Sequence, residues 1–234
     1  MKIRRYAETI AAGNWHTIGL KSDGTAVATG SDNDGQCNMR VLRDVRDIVA
    51  VSAGDWHTVV LRSDGAVVAI GNNKEDQCNV DNWRDIVAVS AGDSSTIGLK
   101  SDGTVVTIGG NKYGQCNTGD WRDIVAISTS SGDSHTLGLK SDGTVVAAGS
   151  DEHGQCRVGE WRNMMIYVDS DRLESVKSGT ERRRAEAEYR RDEIGAELEK
   201  LNKELEDLKG MSSVMRKLAI KLSIKKLGEE LKRL

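Results

Sequence analysis

The sequence predicts an all-β repeat domain over residues 1–168, built of about four β-propeller blades that close into a ring or stay an open arc. An α-helical hairpin or coiled coil follows over residues 169–234. Three observations carry this reading. A unit of about 40 residues recurs four times: a loop glycine at Gly13, Gly54, Gly92 and Gly132, a Ser-Asp-Gly turn ending at Gly24, Gly65, Gly103 and Gly143, and a Gln-Cys pair at Cys37, Cys78, Cys116 and Cys156. Each set steps by 41, 38 and 40 residues. Within a unit the apolar residues follow a strand period and fall on both faces. From Ser170 onward the period becomes helical.

Taking the second unit as the example, Asp47 to Ala53 is the first strand, Thr58 to Arg62 the second and Ala66 to Ile70 the third. Ser63-Asp64-Gly65 joins the last two by a tight turn, because Asp-Gly tolerates the positive φ that a two-residue hairpin needs. A polar loop runs from Asn72 to Gln77, and the segment through Cys78 towards Trp83 offers a fourth, weaker strand. Many strand residues are small, among them Ala50, Ala53 and Ala69, so each sheet is expected to stack on a neighbour at either side.

Repeat one opens weakly, with Ala7-Glu8-Thr9-Ile10-Ala11 where the others read Ile-Val-Ala-Val-Ser. After repeat four, Trp161-Arg162-Asn163-Met164-Met165-Ile166-Tyr167-Val168 restates the opening strand of a fifth unit that does not follow. That strand either closes a ring on the first blade or caps an arc. The tail places Ala187, Ile194, Leu198, Leu201, Leu205 and Leu208 on one helical seam, breaks at Gly210, and resumes from about Ser212 to Leu234. The first arm is rich in Glu and the second in Lys, which fits an antiparallel hairpin. Its seam, residues 180–234, is also a candidate homodimer contact.

Net charge is −3, divided into +2 on the tail and −5 on the repeats, which argues against a nucleic-acid surface. No stretch has the roughly 20 apolar residues of a membrane span. The start carries no apolar signal core, and the cysteines are spread one per unit. A cytoplasmic protein with reduced thiols is therefore expected.

The recurring His-Thr-x-Gly-Leu-Lys-Ser-Asp-Gly-Thr-Val-Val followed by Gly-Gln resembles the repeat of the regulator of chromosome condensation (RCC1) family. The Asp-Ile-Val-Ala-Val-Ser-Ala-Gly opening and the Gly-Gln-Cys-Asn ending are most similar to its bacterial type. The resemblance covers residues 4–168 and implies propeller blades that serve as interaction platforms. In that family the founding member exchanges nucleotide on a small GTPase and binds chromatin, and a bacterial relative inhibits β-lactamases. Such propellers usually have seven blades. Four units leave three arrangements open: a small ring, an arc, or half of a two-chain ring of about eight blades.

His16, His57 and His135 share a slot that holds Ser95 in repeat three. Serine is a poor base or metal ligand, so these side chains are expected to satisfy loop backbone groups. The four cysteines read as packing, and the cluster of Asp151, Glu152, His153 and Cys156 occurs in one repeat only. Trp83, Trp121 and Trp161 precede opening strands and are expected between blades, whereas Trp15 and Trp56 sit in loops where other repeats have Ser94 and Ser134. The repeats differ mainly in two loops, the first at Asn14-Trp15, Asp55-Trp56, Asp93-Ser94 and Asp133-Ser134. The second reads Ser31-Asp32-Asn33-Asp34, Asn72-Asn73-Lys74-Glu75, Gly110-Asn111-Lys112-Tyr113 and Ser150-Asp151-Glu152-His153. Strands running up, down and up place both loops on one face, opposite the Ser-Asp-Gly turns. The candidate partner-binding residues are Asn14, Trp15, Asp55, Trp56, Asn73, Lys74, Lys112, Tyr113, Glu152 and His153, with drift in solvated loops as the competing explanation.

No phosphate loop, nucleophile elbow or metalloprotease motif is present. The expectation is a non-catalytic protein-interaction module without cofactor or metal, binding a protein partner, with a helical tail for self-association or docking. The alternatives are an exchange-type regulator of a small GTPase, implied by the resemblance, and a truncated repeat array.

Overall fold

The computed structural model describes residues 9–132, 134–165, 187–203 and 223–230. Four three-stranded antiparallel sheets follow one another along the chain. They are β1 (Ile10–Ala12), β2 (His16–Leu20) and β3 (Ala26–Gly30), then β4 (Ile48–Ala53), β5 (His57–Arg62) and β6 (Val67–Gly71). The third holds β7 (Ile86–Ala91), β8 (Ser95–Lys100) and β9 (Val105–Gly109), the fourth β10 (Ile124–Thr129), β11 (His135–Lys140) and β12 (Val145–Gly149). The central strand of each sheet lies against the first strand of the next, β2 on β4, β5 on β7 and β8 on β10. The first strands also neighbour one another, so they form the inner edge of the stack. The first and fourth sheets do not close on each other, and the blades make an open arc.

The apolar character of both strand faces explains the stacking. One cluster joins Ile18 and Ala26 to Ile48, Val51 and Val60, a second joins Val59, Leu61 and Val67 to Ile86, Val89 and Ala91, and a third joins Ile97, Leu99 and Val105 to Trp121 and Ile124. Each core is thus shared between successive repeats, and burial of its aliphatic side chains stabilises the stack by about 1.5–3 kcal/mol apiece.

The turns correct one expectation. Arg62 N–H donates to Ala66 O (2.9 Å) and Gly65 N–H donates to Arg62 O (3.0 Å), so the loop has three residues, not two. Only Gly65 has positive φ (+79°), and Asp64 instead accepts from Ala66 N–H through Oδ1 (3.0 Å). This is the three-residue hairpin with glycine in the left-handed position. Its carbonyl is used by the next repeat: Gly24, Gly65 and Gly103 O accept from Ile48, Ile86 and Ile124 N–H at 3.1, 3.2 and 3.0 Å. The residue before each of those isoleucines takes positive φ (Asp47 +58°, Asp85 +61°, Asp123 +63°) and turns its own carbonyl back to Ser63, Ser101 or Ser141 N–H of the same repeat. Aspartate is among the non-glycine residues that tolerate this conformation, which accounts for the recurring Asp-Ile. Asn163 (+58°) and the bond from Met164 N–H to Gly143 O (3.0 Å) repeat the joint at the fifth opening. Residues 166–168 of that strand lie outside the described ones.

The expected fourth strand does not form. Between Asn72 and Trp83 the backbone runs through successive turns, with Cys78 N–H captured by Asn73 Oδ1 (2.8 Å) and Trp83 N–H by Val80 O (2.9 Å). The matching stretch of repeat one carries a short helix, α1 (Met39–Leu42), capped by Asn38.

A size exchange runs through the blades. Trp83 lies over Gly98, where an added Cβ would come within 2.6 Å of Cζ3, and Trp121 lies over Gly138 at 2.7 Å. Repeat two fills the same two slots with Val45 and Val60, packed in one cluster. Trp161 in the third tryptophan slot is 48% exposed.

By contact the chain divides into two compact units, Met1–Thr180 and Glu181–Leu234. The sequence boundary at 168/169 falls among residues outside the described ones. In the second unit residues 187–203 (α2) and 223–230 (α3) are helical. Ile194 is fully buried, Ala187, Leu198, Leu201, Ile224 and Leu227 are half-buried, and Glu193, Glu197, Lys225 and Lys226 are exposed. Arg190 donates through Nε and Nη2 to Glu230 Oε1 (3.1 and 2.9 Å), reversing the polarity expected of an acidic and a basic arm at this end. Gly210, Leu205 and Leu208 lie outside the described residues.

Candidate functional site

Both variable loops lie at one end of the blades. Trp15, Trp56, Ser94 and Ser134 in the first loop each accept, through the main-chain carbonyl, from the residue that opens the second loop, Ser31, Asn72, Gly110 and Ser150, at 2.8, 2.9, 2.9 and 2.6 Å. The Ser-Asp-Gly turns occupy the opposite end, as strand alternation predicts. Of the ten candidate residues, Asn14, Trp15, Trp56, Asn73, Lys74, Lys112, Tyr113, Glu152 and His153 are exposed and Asp55 is half-buried. Trp15 is 63% and Trp56 36% exposed, far more than Trp121 at 8%. Lys112 Nζ stands 5.1 Å from the Tyr113 ring centroid.

The loops are held rigidly from beneath, by residues the sequence showed to recur without showing why. Each repeat glutamine folds back so that its Oε1 accepts from the N–H two residues earlier: Gln36 from Asp34, Gln77 from Glu75, Gln115 from Tyr113 and Gln155 from His153, at 2.9–3.0 Å. The following cysteine donates its thiol to the carbonyl at the loop start, Cys78 to Asn72 O (3.2 Å), Cys116 to Gly110 O (3.3 Å) and Cys156 to Ser150 O (3.1 Å). Burial pushes the Cys78 thiol up to about 12. Burial and the neighbouring Asp32 raise Cys37, and burial and Asp151 raise Cys156. Asp151 accepts from Cys156 N–H and from Arg157 Nε (3.1 Å), which together hold its carboxyl below the usual range. Its carboxylate is thereby used in the loop. No group of three or more His, Cys, Asp or Glu among the described residues is placed to hold a metal ion.

The histidines are structural, though not through loop backbone. His16 Nε2 donates to Thr58 Oγ1 (2.8 Å) and His57 Nε2 to Thr96 Oγ1 (2.9 Å), each in the following blade. The direction follows from the threonines, whose single hydroxyl protons go to Gln36 O (2.9 Å) and Gln77 O (2.7 Å). Burial lowers the His16 pKa, keeping it neutral. In blade four His135 Nδ1 meets the adjacent Ser134 Oγ at 3.2 Å. The first loop of that blade is longer: Ser130 N–H makes the bond to the strand-start carbonyl (3.2 Å) that Gly13, Gly54 and Gly92 make elsewhere, so Gly132 is not their structural counterpart.

A rigid stack of three-stranded blades, arranged as an open arc and presenting variable loops from one face, is a propeller-blade repeat protein. The family model described as "Regulator of chromosome condensation (RCC1) repeat" matches residues 8–36, 48–77, 86–115 and 124–155. The chain belongs to the RCC1 repeat family. No curated protein matches it. Among solved structures it is similar to yeast RCC1 (Prp20), determined bound to Kap60, at 18% identity and TM-score 0.52, over 69% of this chain and 49% of that one. It is also similar to human WBSCR16, at 17% identity and TM-score 0.50, over 65% of this chain and 50% of that one. The chain spans about half the length of these relatives, and the likeness is one of fold.

Proposed function

We propose that this chain is a non-catalytic protein-protein interaction module whose variable loop face binds a protein partner, with the helical tail serving self-association or docking. The carrying observation is that two large aromatic side chains, Trp15 and Trp56, stand exposed on rigid loops where sister repeats carry serine. Neither indole belongs to the three blade cores, and at interfaces tryptophan is among the side chains that carry most binding energy. Among the acidic residues of the surrounding loops, Asp32, Asp34 and Asp151 are engaged within the loops, while Glu75 and Glu152 stand exposed. A basic peptide segment suits this face, since its Lys or Arg would meet Glu75 or Glu152 and stack on indole.

The test is capture of partners on the immobilised chain, followed by titration of the captured protein against wild type and the Trp15→Ser/Trp56→Ser double variant. Affinity falls by at least about 30-fold, equivalent to about 2 kcal/mol, and weakens with added salt. Undiminished affinity in the double variant refutes the assignment of this face.

A further inference from the structure

We propose that Asp64–Gly65, in the hairpin turn of blade two, is the chain's site of isoaspartate formation, and that modification there opens the joint between blades two and three. The chain holds five Asp-Gly pairs, Asp23–Gly24, Asp34–Gly35, Asp64–Gly65, Asp102–Gly103 and Asp142–Gly143. Glycine puts no side chain beside its nitrogen, so Asp-Gly is where this reaction meets least steric resistance. The Gly65 nitrogen attacks Asp64 Cγ, the carboxyl group loses water, and a five-membered imide forms. Water then adds at the former main-chain carbonyl, so that the backbone runs through Cγ and the α-carboxylate becomes the side chain. The water lost is regained, and no other reagent is needed.

Four of the pairs lie in the same turn of successive blades, which makes them controls for one another. The attacking nitrogen is held alike in each: Gly24, Gly65, Gly103 and Gly143 N–H donate to Lys21, Arg62, Lys100 and Lys140 O at 3.0–3.1 Å. The carboxylates differ. Asp23, Asp102 and Asp142 each accept through Oδ1 from the N–H of a threonine two residues on (2.9 Å) and from its hydroxyl (2.6 Å), the threonines being Thr25, Thr104 and Thr144. Both bonds tether the carboxylate and favour its ionised form, which lacks the hydroxyl that must leave. The threonine hydroxyl is the main cause that holds the Asp23 and Asp142 carboxyls below the usual range. Repeat two has Ala66 in the threonine slot. Asp64 Oδ1 accepts from Ala66 N–H at 3.0 Å with no hydroxyl to join it, and Arg62 Nη2 meets Oδ2 at 3.1 Å. That ion pair is solvent-exposed and holds the carboxylate weakly. Lys21 and Lys140 also act on Asp23 and Asp142, so a flanking cation does not set Asp64 apart. The fifth pair is guarded differently: Asp34 is half-buried, and its Oδ1 accepts from Asn72 Nδ2 of the next blade (2.8 Å). The consequence falls on the joint. Gly65 is buried, its carbonyl accepts from Ile86 N–H (3.2 Å), and an added Cβ there would come within 3.1 Å of Ile86 N and 3.2 Å of Asp85 Cα. Isoaspartate inserts a methylene ahead of this glycine, and so tight a joint absorbs it only by moving the carbonyl off Ile86.

The test ages the full-length chain for several weeks at physiological pH and elevated temperature, for wild type, Ala66→Thr and Thr144→Ala. Isoaspartate is counted by enzymatic methyl transfer from labelled S-adenosylmethionine and located by electron-transfer mass spectrometry of the peptides. Threonine is what the three sister turns carry at this position, so Ala66→Thr keeps the fold. Isoaspartate is expected to accumulate at Asp64 at least about 5 times as fast as at Asp23, Asp102 or Asp142, less than the full effect of a charged hydrogen bond because the turns are exposed. Ala66→Thr brings Asp64 down to the rate of the others, and Thr144→Ala raises Asp142. In the isoaspartyl fraction the Ile86 amide exchanges with deuterium faster than in the fresh chain. Equal rates at the four turns, or a rate at Asp64 that is indifferent to Ala66→Thr, overturn the site, and unchanged exchange at Ile86 overturns the opened joint.

Discussion

The tryptophan–glycine exchange gives a sharp test of how the blades are packed. In Gly98→Val the new Cβ would lie 2.6 and 2.8 Å from Trp83 Cζ3 and Cε3 and 3.1 Å from Val106 Cγ2, all inside the 3.5–4.0 Å of relaxed carbon contact. The indole must then leave the cluster of Val59, Leu61, Val80 and Ile86, at a cost of about 2–3 kcal/mol for overpacking. Trp83→Val alone removes the ring from the same half-buried site and costs about 3 kcal/mol, the lower end for loss of a large aromatic. If the two positions were independent, the double variant would lose about 5–6 kcal/mol. Because it reproduces the pair that repeat two already uses, we expect a loss of only about 2–3 kcal/mol, a coupling of about 3 kcal/mol. Urea unfolding followed by far-ultraviolet circular dichroism reads all four chains, with equal m-values as the check that the same surface unfolds. Additivity within about 0.5 kcal/mol would refute the reasoning, since it would mean that the indole does not occupy the space above Gly98.

Three further outcomes follow from buried or half-buried polar groups. Thr58→Val removes the hydroxyl that accepts from His16 and donates to Gln36 O, all within buried surroundings, and should lower stability by about 1–3 kcal/mol in the same urea assay. His16 has its pKa lowered by burial, so the unfolded chain binds a proton that the folded chain refuses: its contribution is intact above the ordinary histidine value of 6.5 and is lost as pH falls below it, read as a falling urea midpoint that flattens in His16→Gln. Cys78, at about 12, should react with iodoacetamide at pH ~8 roughly a hundredfold more slowly than an unhindered thiol of pKa ~8.5, the scarcity of thiolate being partly offset by its greater nucleophilicity, measured by mass spectrometry of the native chain. A rate near that of the free thiol would show that the thiol is not held against Asn72 O.

What could be read from the sequence divides along the range of the interactions. The strands and the placement of Trp15 and Trp56 on one face follow from period-2 alternation and from comparing the repeats, both local properties. The joints were harder. His16 meets Thr58 42 residues away, and nothing in either repeat alone shows that the ring reaches the next blade instead of its own loop. The Ser-Asp-Gly turn has the letters of a two-residue hairpin, but its glycine carbonyl is committed to the following repeat, and the three-residue loop aims it there. The segment from Cys78 towards Trp83 reads as a weak fourth strand, but Asn73 takes the Cys78 N–H and local turns take those of Val80 and Trp83, so the donors a ladder would need are already used. The open arc could not be distinguished from a ring, since the same blades and joints build either.

The Asp-Ile joint makes the number of blades editable. Because Asp47, Asp85 and Asp123 all take the same left-handed turn, and Gly24, Gly65 and Gly103 all offer the same carbonyl, removing Ile86 to Asp123 in frame would bring Asp85 before Ile124 and set Ile124 N–H against Gly65 O, a junction like the ones it replaced. Duplicating that segment would do the same in the other direction. Gene segments cut at this point are interchangeable parts, so repeat number in such a chain can grow or shrink by unequal exchange without inventing a new contact, and only the two outermost surfaces must be solved afresh each time.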